Sequence, residues 1–282
     1  MTFKSWAVLE SLLRSHHENN IELFSKFLPE EALQNFSNLP VDTAVHSNLL
    51  SSAEESLSSM HYSWLLGAVK KIPSEAYNFY LSALPEIQAE VISTALNKNI
   101  DKVNLSRFGQ AYLLHYFQQN FLDEKEILPV QCLPISDFHS LLKMEKRRLI
   151  QLMGYLGLWD LAIRLKELNH GGLSQSVEKV LSFKKKEYLN ICLQEDDIVS
   201  LSTIEIEKWD GDKRNLEYML HQRGVERLGY ALSGQHKGFI WHLCHKLDTG
   251  RATVLLKYHS EEQLPESPVL TSRLLNLVEF LG

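Results

Sequence analysis

A group of potential metal ligands lies near the carboxyl end of the chain, at His242, Cys244 and His245. Thiolate and imidazole groups are common ligands of zinc. On a helix, however, His242 and Cys244 point about 200° apart, and Cys244 follows Ile240 and Leu243 on an apolar stripe. We therefore interpret Cys244 as a core residue and expect no metal site. His242 and His245 share a face and fit surface positions equally well.

Signatures of common enzymes are missing from the sequence. There is no Gly-x-x-x-x-Gly-Lys-Ser/Thr loop, no Gly-x-Gly-x-x-Gly, no Gly-x-Ser-x-Gly and no His-Glu-x-x-His. Adjacent acids such as Asp196 and Asp197 point to different faces of a helix, which is typical of solvated positions. We therefore expect no catalytic residues, no cofactor and no enzymatic activity.

Composition and charge narrow the class of protein. The chain has 282 residues, of which 44% are hydrophobic and 23% charged, with a formal net charge of -6. An acidic balance argues against nucleic acid as a partner. No run of about 18 apolar residues and no signal-peptide pattern occurs, so we expect a cytoplasmic protein. The three isolated cysteines, Cys132, Cys192 and Cys244, are expected to be free buried thiols.

Two basic clusters and four tryptophans have a structural and a functional interpretation. The clusters, at residues 143–148 and 184–186, could bind phosphate groups or an acidic partner, but we favour solvated helix faces. The tryptophans begin apolar stripes, and we interpret them as inter-helix packing rather than ligand cages; they are Trp64, Trp159, Trp209 and Trp241.

Apolar residues between residues 64 and 96 recur with the period of a helix. The breaks at Pro73-Ser74-Glu75 and Leu84-Pro85-Glu86 carry helix-start residues. Helices of about a dozen residues must stack to bury their stripes, so the pattern predicts an all-α fold of short stacked helical repeats, armadillo/HEAT-like and elongated. One buried cluster is expected to contain Leu65, Val69, Phe79, Tyr80, Leu84 and Val91.

The rest of the chain is predicted to be helical as well. A weaker copy of the Leu-Pro-Glu corner occurs in residues 21–36, and related units begin at Gly157 and Gly224. We expect Gly171-Gly172 to stop a helix and Ser202, with Glu205 three positions on, to start one. The predicted divisions are a short N-terminal helical region with a linker, two helical domains and a C-terminal extension, at residues 1–58, 59–130, 131–222 and 223–282.

A family resemblance is carried by two stretches. Residues 61–91, and most specifically Leu84-Pro85-Glu86-Ile87-Gln88-Ala89-Glu90-Val91, resemble the middle domain of the flagellar rotor-switch family FliG. A second stretch begins at Asp137-Phe138 and continues to residues 199–205, and it is similar in order and spacing to the carboxyl-terminal domain of that family. Together the stretches span roughly half of the chain.

The resemblance implies a structural function. Members of the family form a ring beneath a membrane-embedded ring and contact the next cytosolic ring protein. The chain departs from the family at its Glu-His-Pro-Gln motif, of which only His61 remains, and at its hinge motif, which Leu133-Pro134-Ile135-Ser136 replaces. The helix that carries torque-generating charges in the family corresponds to about residues 184–197, with Lys186 and Asp196 in suitable places.

These departures favour a non-motile relative. We expect a non-enzymatic adaptor of a type III secretion or flagellar basal body, peripheral to the inner membrane through its partners, which are a membrane-ring protein and other cytosolic ring proteins. The alternative is a soluble helical-repeat adaptor that binds peptides or chaperones. A final helix with the apolar stripe Leu270, Leu274, Leu277 and Leu281 can fold back or dock on a neighbour, and we favour docking in a homo-oligomer.

Overall fold

The protein is described from a computed structural model covering residues 57–121, 128, 130–168, 171–195, 199, 201 and 203–281. Over these residues the fold is all-α, with short helices packed against each other and no strand, which confirms the predicted all-α class of packed short helices. Residues 21–36, with the predicted weaker copy of the corner, lie outside this range. None of the described helices is long and apolar enough to cross a membrane.

Thirteen α-helices occur in the described part of the chain. They are α1 (Tyr62–Val69), α2 (Tyr77–Ala83), α3 (Glu86–Leu96), α4 (Arg107–Phe121), α5 (His139–Lys143), α6 (Lys146–Leu156), α7 (Leu158–Leu168), α8 (Gly171–Val180), α9 (Phe183–Gln194), α10 (Lys213–Ala231), α11 (Lys237–Lys246), α12 (Thr249–Tyr258) and α13 (Ser267–Leu281). Single 3₁₀ turns lie at Ser74–Ala76, Val130–Cys132 and Ile206–Lys208.

The chain forms two compact units. Among the described residues, unit 1 comprises those from Leu57 to Ser136 together with His236–Thr249, and unit 2 comprises those from Asp137 to Gln235 together with those from Gly250 to Leu281. Unit 1 is therefore built from two separate stretches of sequence, and α11 belongs to it although α10 and α12 belong to unit 2. The four-segment division made from the sequence concerned family-like domains, and it stays a prediction.

Proline corners set the helix starts in unit 1. Pro73 precedes the turn that leads into α2, and Pro85 is the residue before α3. Each proline takes a helix-start position where its missing N–H leaves no donor unpaired. The two predicted corners are confirmed, and they fold α1, α2 and α3 back on one another around a core that includes Leu65, Leu81 and Ile92.

The predicted cluster of unit 1 is correct in part. Leu65, Val69 and Leu84 are buried, and Tyr80 packs half-buried against the same core. Phe79, however, is 48% exposed, and Val91 is only half-buried. The prediction of Phe79 as a core residue is wrong because α2 turns its other side, with Tyr77 and Leu81, toward the core.

Hydrogen bonds between residues far apart in the sequence connect the end of α11 with the start of α1. The backbone N–H of His61 donates to the carbonyl of His245 at 2.7 Å, and Trp64 Nε1 donates to the carbonyl of Leu247 at 2.9 Å. The hydroxyl of Ser63 accepts the N–H of Thr249 at 3.1 Å. These bonds satisfy polar groups at the start of α1 and at the end of α11, and so join the two stretches of unit 1.

In unit 2, α6 packs closely against α10, and a glycine on each side, Gly157 and Gly224, lies where the two backbones approach each other. A Cβ atom on Gly157 would lie 1.9 Å from the carbonyl oxygen of Leu220, and one on Gly224 would lie 1.6 Å from that of Met153. Such distances are far below any real contact, so only glycine permits this approach of the backbones. The two glycines that open the related units in the sequence therefore face each other's helices.

A buried ionic cluster lies beside this crossing. Asp160 of α7 and Arg227 of α10 each expose 1% of their side chains, and Arg227 donates to Asp160 Oδ1 from Nε at 3.0 Å and from Nη2 at 2.5 Å. Arg223 donates to the second carboxylate oxygen at 3.2 Å and pairs with Glu226 at 2.8 Å. Removal of one member of such a buried pair typically costs about 3–5 kcal/mol, because the other charge is left uncompensated.

Two expected boundaries in unit 2 are wrong. Gly171 and Gly172 begin α8 instead of stopping a helix, since α7 already ends at Leu168. Ser202 lies outside the described residues, and the predicted helix start near Glu205 yields only the single 3₁₀ turn Ile206–Lys208, with no side-chain cap.

Candidate partner-binding site

His61, which was predicted to contact a partner, caps a helix. Its Nδ1 accepts the backbone N–H of Ser63 at 3.2 Å, two positions into α1, and also lies 2.8 Å from the Ser63 hydroxyl. The side chain is half-buried. These contacts give His61 a local structural role at the N-terminus of α1, and its role in docking a partner stays a prediction.

Of the two charged residues predicted to contact a partner, the structure describes only Lys186. Lys186 lies half-buried in the first turns of α9, whereas Asp196 lies outside the described residues. The neighbouring Lys185 is engaged with Glu217 of α10 at 3.7 Å. Of the three lysines at 184–186, Lys184 is exposed and the other two are half-buried, so a fully solvated face describes only one of them.

The stripe on the last helix is covered by its own unit. Leu270 is 3% exposed, Leu274 and Leu277 are fully buried, and only Leu281 at the helix end is half-buried. Helix α13 packs against α10 and α6. The preferred prediction, that this stripe docks on a neighbouring molecule, is therefore wrong. The leucines lie in the core of unit 2, so the alternative that the last helix folds back on its own chain is correct.

The three residues first considered as metal ligands have other contacts. His245 is stacked between Trp64 and Trp241, with ring centroids 4.2 and 3.8 Å apart, and its Nδ1 lies 2.8 Å from the carbonyl oxygen of Trp241. His242 Nε2 lies 2.8 Å from the carbonyl oxygen of Leu128. Nowhere in the described ranges do three or more His, Cys, Asp or Glu side chains converge as a metal site would require.

The cysteines are free and buried, as expected. Burial raises the pKa of Cys192 to about 12 and that of Cys244 to about 12. Because the thiolate is the reactive form, these thiols are protonated and inert near neutral pH. Residues 192 and 244 therefore serve packing.

A pocket opens beside the Leu-Pro-Glu corner of unit 1. It has a volume of about 480 Å³. Its walls come from α2, the start of α3, the segment before α4, and α4 itself; the lining residues are Leu81, Ser82, Leu84, Pro85, Glu86, Ala89, Glu90, Ile100, Lys102, Val103, Asn104, Leu105 and Gln110. Five residues of the segment 84–90, which begins with the Leu-Pro-Glu corner, thus contribute to one wall of a concave site.

Two hydrogen bonds hold the pocket walls together. The Ser82 hydroxyl of α2 accepts the N–H of Val103 at 2.9 Å, and Gln110 Nε2 of α4 donates to the carbonyl of Ala83 at 3.3 Å. The first bond fixes the segment before α4, which contributes Ile100, Val103 and Leu105 to the lining. Apolar and polar side chains both line the pocket, and the apolar ones include Leu84, Ile100 and Leu105.

The rim of the pocket is charged. Lys102 donates to Glu86 Oε1 at 2.9 Å, and this hydrogen bond, with the attraction between the charges, lowers the pKa of Glu86. Glu90 stands exposed one helical turn further along α3. With two carboxylates and one ammonium group, the rim is acidic, and it favours a partner segment with an apolar side chain flanked by Lys or Arg.

An exposed aromatic face lies on α4. Phe108 is 84%, Tyr112 60% and Tyr116 39% exposed, at a spacing of four residues. Leu114 and Phe117 hold the opposite side of the helix in the core of unit 1. Sequence reasoning missed this face, although the spacing of the three aromatic residues is a recognisable stripe, because aromatic residues on a helix are usually taken for core.

No protein-family model, no curated protein and no solved structure matches the chain. The class defined by the fold is a protein of short packed α-helices.

Proposed function

We propose that the chain is a non-enzymatic structural adaptor of a membrane-associated cytosolic ring in a type III secretion or flagellar basal body. It links a membrane-ring protein to other cytosolic ring components, and it lies at the cytoplasmic side of the inner membrane through those partners only. The resemblance to the FliG middle and carboxyl-terminal domains, carried most specifically by residues 84–91, is the source of this proposal.

The pocket beside the Leu-Pro-Glu corner is the observation that carries it. Residues 84–86 and Glu90 belong both to the most FliG-like stretch and to the pocket lining. The apolar residues of the lining and the charged rim would receive one anchoring side chain of a partner, and such buried anchors dominate the energy of protein interfaces. A ring adaptor needs a surface of this kind.

The test is the association of the chain with a basal body in cells. The tagged full chain is expressed where a secretion apparatus or flagellum is intact, and membranes are crosslinked and fractionated. We expect the chain to co-purify with the membrane ring. Fractionation as a soluble protein without any ring component would overturn the proposal.

Matched variants connect this association with the pocket. Asn104→Trp places a large side chain at the exposed pocket rim, and Glu90→Lys reverses a rim charge. Their controls are Asn190→Trp and Glu187→Lys, at exposed positions of α9 in unit 2. We expect the first pair to reduce co-purification about tenfold or more and the second pair to leave it unchanged.

The same pocket fits the alternative of a soluble adaptor that binds peptides or chaperones. That function predicts a different result in the same experiment: a soluble chain that captures a basic-apolar peptide or a chaperone and loses it in Asn104→Trp. The two functions are therefore distinguished by the fraction in which the chain is found.

A further inference from the structure

Two stretches of the chain fold into the same succession of helices. In the first, α6 and α7 meet at Gly157 and are followed by α8 and α9; in the second, the long helix α10 passes through Gly224 and is followed by α11 and α12. The turn before the last helix is equally short in both stretches, at residues 181–182 and 247–248. Gly157 and Gly224 therefore occupy the same place in two similar series of helices.

The correspondence extends to single positions. Asp160 and Arg227 are separated by 67 residues, and at this separation several residues recur unchanged; they are Lys146 and Lys213, Arg147 and Arg214, Leu149 and Leu216, Gly157 and Gly224, Leu161 and Leu228, and Leu165 and Leu232. Burial agrees with these identities, because the buried positions 216, 220 and 224–229 have buried equivalents at 149, 153 and 157–162.

The last helix of each series packs in the same way. Helix α7 packs against α9, where Trp159 Nε1 donates to the Tyr188 hydroxyl at 3.2 Å. The second half of α10 packs against α12, where a Cβ on Gly229 would lie 2.7 Å from the carbonyl oxygen of Leu255. In each series, the residues that follow the repeated glycine thus contact the last helix.

The contacts between the two series are reciprocal. A Cβ on Gly157 would meet the carbonyl oxygen of Leu220, and one on Gly224 would meet that of Met153. Met153 corresponds to Leu220, so exchange of every residue for its equivalent turns the first contact into the second. Like surfaces therefore meet, as they do in a two-fold interface, whereas repeats stacked in a solenoid bring unlike surfaces together.

An ion pair lies at the centre of this arrangement. Asp160 and Arg227 correspond to each other and also contact each other, and only a residue at a two-fold axis meets its own equivalent. Pairing of one series with another like itself would bury two aspartates or two arginines together, without a compensating charge. The opposite charges therefore favour pairing of the two different series.

We propose that residues 146–194 and 213–258 are two copies of one helical unit, duplicated within the chain, and that the α6–α10 crossing is a two-fold interface between them with Asp160 and Arg227 at its axis. An interface of this type is closed, because each copy covers the surface of the other. Attachment of a further chain through this crossing is thereby excluded, so an assembly must use other surfaces. The inference does not depend on the proposed function, because it concerns the folding of the chain alone.

A scan of single substitutions tests the equivalence. Every substitution at residues 146–165 and 213–232 is made in the full chain, and the folded fraction is measured by protease resistance of the displayed protein. We expect the effects at each position to correlate best with those 67 residues later, because equivalent positions have equivalent neighbours. Separations that differ by one helical turn are the control, since helical periodicity alone would correlate those equally well.

The glycines give the sharpest comparison within the scan. Gly157→Ala and Gly224→Ala should each lower the folded fraction about tenfold or more, because the Cβ would strike a backbone carbonyl. The matched control is Gly154→Ala on α6, whose Cβ would meet only the end of the Lys185 side chain, at 3.7 Å, and which should be tolerated.

An exchanged ion pair tests the axis. Asp160→Arg and Arg227→Asp each bury two like charges and should each leave little folded protein. Combined, they restore an ion pair in the reverse direction, and Arg223 still lies one helical turn from the carboxylate introduced by Arg227→Asp. The double variant should therefore have a folded fraction about tenfold or more above that of either single variant.

A scan in which another separation correlates as well as 67 overturns the proposal. A double variant as unfolded as the two single variants overturns it too, because the two positions are then not equivalent.

Discussion

Phe79 and Leu81 lie two positions apart on α2 and have opposite environments. Leu81 is 1% exposed and contributes to the core of unit 1, whereas Phe79 is 48% exposed. Truncation of a buried leucine removes its transfer free energy and leaves a cavity, while truncation of an exposed ring does neither. Of these two residues, Leu81 therefore contributes more to the stability of the fold than the larger Phe79 does.

The pair makes a direct stability test. Leu81→Ala should lower the free energy of unfolding by about 2–5 kcal/mol, and Phe79→Ala by less than about 1 kcal/mol. Urea unfolding followed by tryptophan fluorescence measures both. A loss in Phe79→Ala as large as that in Leu81→Ala would mean that Phe79 is covered.

The helical period predicts that α2 exists but not which side it buries. Tyr77, Phe79, Tyr80 and Leu81 are all large and apolar or aromatic, so they surround the helix and no single face stands out. The choice of face is made by the neighbouring helices through packing. Information of that kind is not present in the spacing of one segment.

His245 is held as a neutral imidazole by its surroundings. Burial between Trp64 and Trp241 lowers its pKa to about 4, and the nearby His242 acts in the same direction. In the unfolded chain the same group has a pKa near 6.5. Between these two values the unfolded state binds more protons than the folded state, so stability falls as the pH falls.

We expect the protein to lose stability between about pH 6.5 and pH 4, on the order of 3 kcal/mol from His245. His236 has a pKa lowered by burial and contributes with the same sign. His245→Phe keeps an aromatic ring in the stack but cannot be protonated, so its unfolding free energy should vary less over this range. Chemical unfolding at a series of pH values measures it, and identical profiles for both proteins would contradict the assignment.

At the scale of the elements, the α6–α10 crossing depends on the absence of two side chains. Gly157 and Gly224 each bring one backbone against the carbonyl of the opposing helix. The sequence marks both positions, since each glycine opens one of the two related units, but it gives no reason why they should meet. Their significance appears only when the helices are packed.

Alanine substitution tests the crossing against a glycine of another helix. Gly157→Ala and Gly224→Ala should each destabilise unit 2 by about 3 kcal/mol or more, because a Cβ would displace a backbone carbonyl rather than a flexible side chain. Gly67→Ala in α1 meets nothing within 4 Å and should stabilise the protein by about 0.5–1 kcal/mol. Thermal unfolding measures the stability of the three variants. A similar loss of stability in all three would mean that the effect comes from the glycine-to-alanine change in the backbone and not from the helix crossing.

Helices α13 and α4 show what the spacing of apolar residues predicts about a helix and what it does not predict. The leucine stripe of α13 is correctly predicted, yet its cover is α6 and α10 of its own unit, which the spacing does not reveal. On α4 the reverse holds, because an aromatic stripe that resembles a core face is exposed. The sequence thus predicts stripes well, whereas burial depends on which surfaces the rest of the chain supplies.

At the scale of the whole molecule, the order of helices in the sequence differs from their grouping in space. The chain leaves unit 1 after Ser136, returns to it for His236–Thr249 and then re-enters unit 2. The returning segment is hydrogen-bonded to the start of α1. The carbonyl of His245 accepts the N–H of His61, and the carbonyl of Leu247 accepts the indole N–H of Trp64, which lies 183 residues earlier in the sequence. A linear division of the sequence cannot express this arrangement.

Hydrogen exchange can test the assignment of α11 to unit 1. Trp64→Ala removes both the ring stacked on His245 and the donor to the Leu247 carbonyl, so residues 236–249 should exchange about tenfold faster or more. Trp159→Ala is the matched control in unit 2, because it removes the bond to Tyr188 and the ring beneath Arg273, and it should affect α9 and α13 instead. If Trp64→Ala leaves α11 protected, the contacts with α1 do not hold α11 in place, and its assignment to unit 1 is wrong. Only faster exchange that is confined to α11 and its neighbours in unit 1 agrees with contacts that bind the two stretches into one folding unit.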